Sequence, residues 1–193
     1  MIFPTTLKGK YVQAMTDEEF SQFCIENAEL RIERLPNREI FVQEPTFYYT
    51  GRSNNKILYQ LTRWNIEAGL GECVDSNTGF FLKDGSMRSP DAAWISHERL
   101  KAVDPSELKK FPHLCPNFVV ELRSSSDSLK QLKEKMIEWI QNGCELGWLI
   151  DPETEIVHVY EGESQSTHNG FDTPLSGEPV LPGFQFILAD LRV

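Results

Sequence analysis

The segment from Pro116 to Pro152 constrains the fold most, because two short apolar runs flank an amphipathic stretch. The first run, Phe118-Val119-Val120, is apolar and β-branched, which predicts a buried strand. The second run, Trp148-Leu149-Ile150, predicts another buried strand. Between them a helix is predicted from Ser128 to about Asn142, ended by Gly143. A strand, a helix and a second strand in this order predict a crossover unit.

Glu121 closes the first apolar run. A carboxylate on a buried strand costs several kcal/mol to desolvate unless a cation or a set of donors meets it. We therefore expect Glu121 to have such a partner. The polar run Ser124–Asp127 that follows supplies N-cap candidates for the helix.

The length of 193 residues predicts one domain over residues 1–193. No apolar run approaches the roughly 18 residues of a membrane span, so we expect a soluble, cytoplasmic protein. The formal net charge is −10, whereas a nucleic-acid binder usually has a basic surface. Most of this excess follows Asp151, and a local basic face is compatible with the nearly balanced first 150 residues. The four cysteines, which form no CxxC pair, are expected to be free thiols.

The first half of the chain alternates short helices and strands. Thr16 and Glu19 form a capping-box pattern for a helix to about Asn27, and a β-hairpin is predicted over residues 30–42. Residues 1–15 are expected to be a loose arm. Residues 50–54 are predicted to be a loop before a helix from about Ile57 to Gly69.

The last forty residues contain fewer signals. The alternation over Ile156–Tyr160 predicts an amphipathic strand, with His158 as a surface histidine. Residues 161–178 are predicted to be a polar loop. A final strand over Phe184–Leu188 is expected to pair at a sheet edge.

Asp91 is among the first residues of another predicted strand, Ser89–Ile95, and taken alone it could simply cap a turn. Its significance comes from Glu121, the second carboxylate on a predicted strand, and from the lysine-bearing helix that follows. Two carboxylates from neighbouring strands can share a hard divalent cation, which prefers oxygen ligands. Such a cation activates water and stabilises charge on a phosphoryl group. These residue types are typical of a metal-dependent phosphodiesterase.

The chain resembles the Uma2 family of bacterial proteins, which is classed with the PD-(D/E)xK nucleases. The segments that carry the resemblance are Ser89–Ile95, Cys115–Ser124, Glu134–Met136, Gly143 and Trp148–Pro152. The resemblance implies an α/β (α+β) restriction-endonuclease-like core, with a central mixed β-sheet flanked by helices and preceded by an N-terminal helix and β-hairpin. It also implies that Asp91 and Glu121 are ligands of Mg²⁺ or Mn²⁺ and that the substrate is DNA.

The third catalytic position departs from the simple family pattern. Arg123, rather than lysine, stands two residues after Glu121, and the family places the lysine on the next helix, where Lys135 matches. By helical geometry Lys135 and Lys133 lie at opposite margins of the apolar stripe, and either could reach a site. Lys135 is preferred because it matches the family. Arg123 shares the strand face of Glu121 and could contact a phosphate.

Lys56 is a second departure, because many relatives have a glutamate just before the position of Ile57. The loss of an acidic residue there disfavours a full two-metal site. Two hypotheses follow: a Mg²⁺-dependent endonuclease, and a catalytically silent domain that binds nucleic acid or protein. A homodimer is expected at family level, since a duplex offers one site to each strand.

Overall fold

The computed structural model of the chain describes residues 5–192. Its α-helices are α1 (Lys10–Gln13), α2 (Asp17–Glu26), α3 (Tyr48–Ala68), α4 (His97–Lys101) and α5 (Leu129–Gln141). The first strands are β1 (Thr5–Leu7), β2 (Arg31–Arg34), β3 (Ile40–Gln43), β4 (Gly71–Asp75), β5 (Phe80–Phe81), β6 (Met87–Arg88) and β7 (Ala92–Ser96). The remaining strands are β8 (Phe118–Leu122), β9 (Leu146–Asp151), β10 (Ile156–Glu161), β11 (Ser164–Asn169), β12 (Leu175–Ser176) and β13 (Gln185–Phe186). Short 3₁₀ helices span Glu107–Lys109 and Leu188–Leu191.

The contacts within the chain divide it into two compact units. The first contains the described part of Met1–Pro45 together with Asn77–Ser89 and Val103–Cys115. The second contains Thr46–Ser76, Pro90–Ala102 and Pro116–Val193 as far as residue 192. The single domain over residues 1–193 stays a prediction.

The first unit is built on a five-stranded antiparallel sheet in the order β1-β3-β2-β6-β5. Its helix α2 begins at the predicted capping box, in which Thr16 and Glu19 each accept a hydrogen bond from the other's backbone N–H. The hairpin of β2 and β3 is also confirmed. A core of five buried side chains packs between the sheet and α2: Phe20, Ile32, Ile40, Phe81 and Met87.

The prediction of a loose arm is wrong for residues 5–15. Strand β1 pairs with β3, from Thr5 opposite Val42 to Leu7 opposite Ile40, and α1 follows directly. Strand β1 is an edge strand held by backbone hydrogen bonds to β3, so its sequence shows no apolar periodicity that would predict it. Residues 1–4 of the predicted arm lie outside the described residues.

The second unit is built on a six-stranded mixed sheet in the order β11-β10-β9-β8-β7-β4. Only β8 and β9 pair in parallel among its described neighbours, and α5 connects them. The predicted crossover unit and the predicted mixed sheet are therefore confirmed. The cap of α5 is Ser128, which accepts a hydrogen bond from the Gln131 N–H, rather than a residue of Ser124–Asp127.

The two long helices cover opposite faces of this sheet. Val120 and Leu122 of β8 belong to the same buried cluster as Ile57 and Leu61 of α3. The alternate residues of β8, Val119 and Glu121, face α5. This follows from Gly147 of β9, which stands beside Val119. A Cβ atom added to this glycine would lie 2.4 Å from the Met136 side chain of α5 and 3.5 Å from Val119. The predicted arrangement of a sheet flanked by helices is confirmed.

Helix α3 begins earlier than predicted, at Tyr48, so residues 50–54 form helical turns rather than a loop. The sequence misled here because the first turn has no side-chain cap, the residue at the N-cap being Phe47. A single glycine, Gly51, weakens a helix without breaking it. The predicted end of the helix at Gly69 is confirmed by its left-handed conformation.

The predicted polar loop over 161–178 is also wrong, because it contains β11 and β12. Five of the six residues of β11 are exposed, and the strand is held by antiparallel pairing with β10. Such an edge strand has no buried face and hence no alternating pattern. The last strand is shorter than predicted, since β13 contains only Gln185–Phe186 and pairs with β12 in a separate two-stranded sheet.

Candidate active site

Glu121 is a buried carboxylate in the middle of the second unit. It is 3% exposed, and its Oε1 accepts a hydrogen bond of 2.9 Å from the indole Nε1 of Trp139. The ammonium of Lys135 lies 2.9 Å from Oε1 and 3.1 Å from Oε2. Glu121 thus has both the cation and the donor that its burial requires.

Helix α5 supplies both of these partners. Lys135 and Trp139 are four residues apart, one helical turn, and therefore lie on the same face of α5. Trp139 is fully buried, and the side chain of Lys135 is only 12% exposed. The lysine stem therefore runs along the helix–sheet interface and carries its charge to Glu121.

Asp91 lies directly before β7, at the strand end where β8 stops. Ala92 stands opposite Val120 in the antiparallel register, so the next pair outward is Asp91 and Glu121. The Asp91 N–H donates to the Val120 carbonyl at 3.0 Å, and its Oδ2 accepts from the Leu122 N–H at 2.8 Å. That amide nitrogen is bonded to the carbonyl carbon of Glu121. The structure thus brings the Asp91 carboxylate to the backbone beside Glu121.

The two carboxylates have different neighbours. Glu121 points to the face covered by α5, whereas Asp91 Oδ1 accepts a hydrogen bond of 3.1 Å from Asn54 Nδ2 of α3. Asn54 and Asp91 thus connect α3 to the end of the β7–β8 pair.

Asn54 is a site residue that the sequence interpretation missed. Its Oδ1 is buried and has no hydrogen-bond donor among the residues that the structure describes. A buried amide oxygen without a donor is costly, and a bound cation would satisfy it. The available signal was its spacing, because Asn54, Ile57 and Leu61 follow the i, i+3, i+7 pattern of the inner face of α3.

Arg123 lies at the same strand end but is paired with an acid. Its Nη1 donates to Asp151 Oδ2 at 2.7 Å, and its buried Nε has no partner among the described residues. Burial raises the pKa of Asp151, but the hydrogen bonds from Arg123 and Thr154 and the positive charge of Arg123 together outweigh this effect, so the pKa is lowered. No role in the site was predicted for Asp151. It is an anion at neutral pH and holds Arg123 in place.

The other two lysines considered from the sequence lie elsewhere. Lys56 directs its ammonium to the backbone carbonyl of Asp190, in the 3₁₀ helix near the C-terminus. Lys133 lines a separate cavity with His158. Lys135, in contrast, contacts Glu121.

The donors available to a metal ion at this site are all oxygens. No group of three or more His, Cys, Asp or Glu side chains suited to a metal occurs in residues 5–192. The candidate ligands near the end of the β7–β8 pair are the carboxylates of Asp91 and Glu121 and the unpaired Oδ1 of Asn54. A small set of oxygen ligands completed by water fits Mg²⁺ or Mn²⁺ rather than zinc.

Two further expectations concern the whole chain. The four cysteines are free, as predicted, and burial raises the pKa of Cys24 and of Cys73 to about 11. No helix within the described residues is both long enough and apolar enough to cross a membrane.

Comparisons with known proteins agree with this fold. Residues 17–192 match the model of the Uma2 family, which is described as "putative restriction endonuclease". A comparison with curated proteins gave no match. Among solved structures, the chain is similar to a protein from Anabaena variabilis ATCC 29413 described as a "putative nuclease belonging to DUF820". The TM-score is 0.73 at 16% identity, covering 92% of this chain and 97% of that one. Because the family model matches residues 17–192, which is most of this chain, the chain belongs to the Uma2 family.

Proposed function

We propose that this protein is a metal-dependent endonuclease that hydrolyses DNA phosphodiester bonds. The proposal is supported by two contacts at one end of the β7–β8 pair. The carboxylate of Asp91 binds the amide next to Glu121, and the carboxylate of Glu121 binds Lys135. An aspartate and a glutamate can bind a divalent cation that activates water, and a lysine can stabilise the charge that develops in phosphodiester hydrolysis.

Asp91 and Glu121 would hold Mg²⁺ or Mn²⁺, and the unpaired Oδ1 of Asn54 offers a third oxygen. A cation bound there supplies an activated water and neutralises charge on the phosphoryl group. The protein's own part is to hold these oxygens still. Asp91 is fixed by the Leu122 N–H and by Asn54, and Glu121 is fixed by Trp139. A ligand set fixed before the substrate arrives costs little reorganisation.

Lys135 would serve as the positive charge beside the reacting phosphate. Its ammonium already lies against Glu121, so only a small movement would orient it toward an attacking water. Arg123, held by Asp151, would offer its remaining guanidinium N–H groups to a neighbouring phosphate oxygen. Because the net charge of −10 repels DNA overall, such local cations would favour the approach of a phosphate.

A catalytically silent domain that binds nucleic acid or protein is the second candidate. One observation supports it: both carboxylate oxygens of Glu121 already contact donors from α5. An internal ion pair of this kind can stabilise a fold without holding a metal.

A nuclease assay with a metal-binding measurement separates the two candidates. Plasmid and single-stranded DNA are incubated with Mg²⁺ or Mn²⁺, using the parent chain and Asp91→Ala. We expect the parent to cleave and its melting temperature to rise with Mn²⁺, since a ligand of the folded state stabilises by about 2.7 kcal/mol at a hundred times its Kd. Asp91→Ala should lose both effects.

The matched control is Glu134→Ala, which removes an exposed carboxylate from α5. It should keep both the cleavage and the Mn²⁺ effect. A parent chain that shows neither cleavage nor a Mn²⁺-dependent melting temperature would support the silent domain and exclude the nuclease.

A further inference from the structure

A polar cavity lies beside α5, on the outer strands of the six-stranded sheet. It has a volume of about 320 Å³. Its lining includes Lys133 from α5, His158 and Tyr160 from β10, and Gln165 and Thr167 from β11. None of these residues belongs to the carboxylate site described above.

The cavity is aligned with that site across the sheet. His158 stands opposite Leu149, and Leu149 stands beside Glu121, so these residues form one row on one face. Neighbouring strands are about 4.8 Å apart, which separates the backbones of His158 and Glu121 by about 10 Å. Thr167 continues the row, because it stands opposite His158 in β11.

Charge distinguishes Lys133 from the other lysines of its helix. Lys130 lies 3.9 Å from Glu134, and Lys135 is paired with Glu121. No acidic residue lines the cavity within the described part of the chain, so the charge of Lys133 is open to an external anion.

His158 adds a neutral hydrogen-bonding group. Burial lowers the pKa of its imidazole, and the nearby charge of Lys133 lowers it further, while Asp151 acts in the opposite direction. The ring is therefore neutral at neutral pH and can donate one hydrogen bond. The amide of Gln165 and the hydroxyl of Thr167 supply further donors at the rim.

We propose that this cavity binds a phosphate group of the nucleic-acid strand, with Lys133 as the cation and His158, Gln165 and Thr167 as hydrogen-bond donors. The choice of a nucleic-acid phosphate rests on the proposed nuclease function. The backbones of His158 and Glu121 are about 10 Å apart, so the bound phosphate would belong to a nucleotide close to the one at Glu121. The cavity thus sets the direction in which the nucleic-acid strand crosses the β-sheet.

The first test measures DNA binding without metal, so that no cleavage is needed. The affinity of the parent chain for a short labelled duplex is measured by fluorescence anisotropy in EDTA at several salt concentrations. Lys133→Ala should weaken binding several-fold and reduce the slope of log affinity against log salt by about 0.9, the value for one phosphate contact. His158→Ala should weaken binding with the slope unchanged, since the ring is neutral.

Lys130→Ala is the matched control, because it removes the same charge from the same helix, and its side chain is 86% exposed. It should leave the slope unchanged. If Lys130→Ala and Lys133→Ala reduce the slope equally, or if neither does, the cavity is not a phosphate site and the proposal is overturned.

A second measurement separates a strand phosphate from free phosphate. The ring resonances of His158 are followed by NMR in the metal-free parent while the duplex or inorganic phosphate is added, with His168, on the other face of the sheet, as the internal control. A shift of His158 with the duplex supports the proposal. A shift with inorganic phosphate alone would assign the site to the free anion and overturn the strand assignment.

Failure of this inference is distinguishable from failure of the nuclease function. Both binding measurements are made without metal, so a chain that never cleaves DNA can still show the Lys133 effect. Conversely, normal cleavage with no Lys133 effect removes only the second phosphate site.

Discussion

Glu121 dominates the chemistry of this protein at the scale of single residues. A carboxylate that is 3% exposed would be very unfavourable alone, and here the Lys135 ammonium and the Trp139 indole N–H compensate its burial. Lys135 therefore serves two purposes in the proposed mechanism. It stabilises the folded protein through Glu121, and it supplies positive charge where the phosphate would react.

Lys135→Met should separate these two purposes. The methionine keeps most of the aliphatic stem but removes the charge, and we expect the cleavage rate at saturating DNA to fall about 10²- to 10³-fold, as for loss of one preorganised donor. The free energy of unfolding should also fall, by about 3–5 kcal/mol without metal, because Glu121 loses its counter-ion. The increase in melting temperature with Mn²⁺ should persist, since the metal ligands are intact.

Lys130→Met is the control for this substitution. It should cleave like the parent, because the Lys130 side chain is exposed and pairs with Glu134 rather than Glu121. Rates are compared below the unfolding temperature of the variant. If Lys135→Met cuts DNA as fast as the parent, Lys135 is not the catalytic lysine and Arg123 becomes the candidate.

At the scale of elements, one side chain joins α3 to two strands of the sheet. Asn65 Oδ1 accepts a hydrogen bond of 2.8 Å from the indole of Trp94 in β7, and its Nδ2 donates to the Gly71 carbonyl of β4 at 2.8 Å. The close approach of Trp94 to β4 requires a residue without a side chain. A Cβ at position 71 would lie 2.2 Å from the Ile95 carbonyl oxygen and 2.7 Å from the Trp94 ring.

Gly71→Ala should therefore destabilise the second unit. Because the obstructing atoms are backbone and a packed ring, relief requires the strands to separate, and we expect a loss of at least about 1–3 kcal/mol in the free energy of unfolding. Urea denaturation followed by tryptophan fluorescence measures it.

Gly51→Ala is the matched comparison in α3. An added Cβ there would meet only Thr46, at 3.7 Å, and the residue is helical, so we expect a gain of about 0.4–1 kcal/mol. Equal effects of the two substitutions would show that the Trp94 contact does not restrict position 71.

At the scale of the whole molecule, the first unit depends on ionic contacts. Arg34 is fully buried between the rings of Phe20 and Phe81, and its guanidinium is paired with Asp17. Asp17 also accepts from His113 Nε2 at 2.9 Å. Burial raises the pKa of Asp17, but the hydrogen bonds from Arg34 and His113 outweigh it and hold the pKa below its usual value.

The stability of this unit should depend on pH through His113. The hydrogen bond to Asp17 raises the pKa of His113, so the pair's contribution is fully present below the unfolded-state pKa of about 6.5 and is lost as pH rises through the raised folded-state value. Asp17 must also be ionised, and its contribution disappears only as pH falls through its lowered pKa. His113→Asn should thus reduce the free energy of unfolding by roughly 0.2–1 kcal/mol at pH near 5.5 and by almost nothing at pH near 9.

Urea denaturation of the parent and of His113→Asn at both pH values measures this difference. His168→Asn is the control, because that histidine lies in β11 of the second unit and pairs with no acid in the described residues. A reduction for His113→Asn that is the same at both pH values would contradict the ionic explanation.

The fold was predictable where its signals are local. The capping box of Thr16, the hairpin of β2 and β3 and the crossover through α5 all follow from residue spacing within a few turns or strands. The first turns of α3 and the strands β1 and β11 were not predictable from the sequence. These elements lack a cap or an apolar face, and they exist because a partner element satisfies their backbone groups or covers them.

By itself, the sequence determined that Glu121 is buried, that it needs a partner, and that Lys135 and Trp139 lie one turn apart on the next helix. Those properties follow from side-chain periodicity, which is a property of each segment alone. Only the tertiary structure decided that Asn54 meets Asp91, that Arg123 is held by Asp151, and that His158 lies in one row with Glu121. Such contacts join residues 9 to 37 positions apart through strand register and helix placement, and one-dimensional spacing carries no information on either.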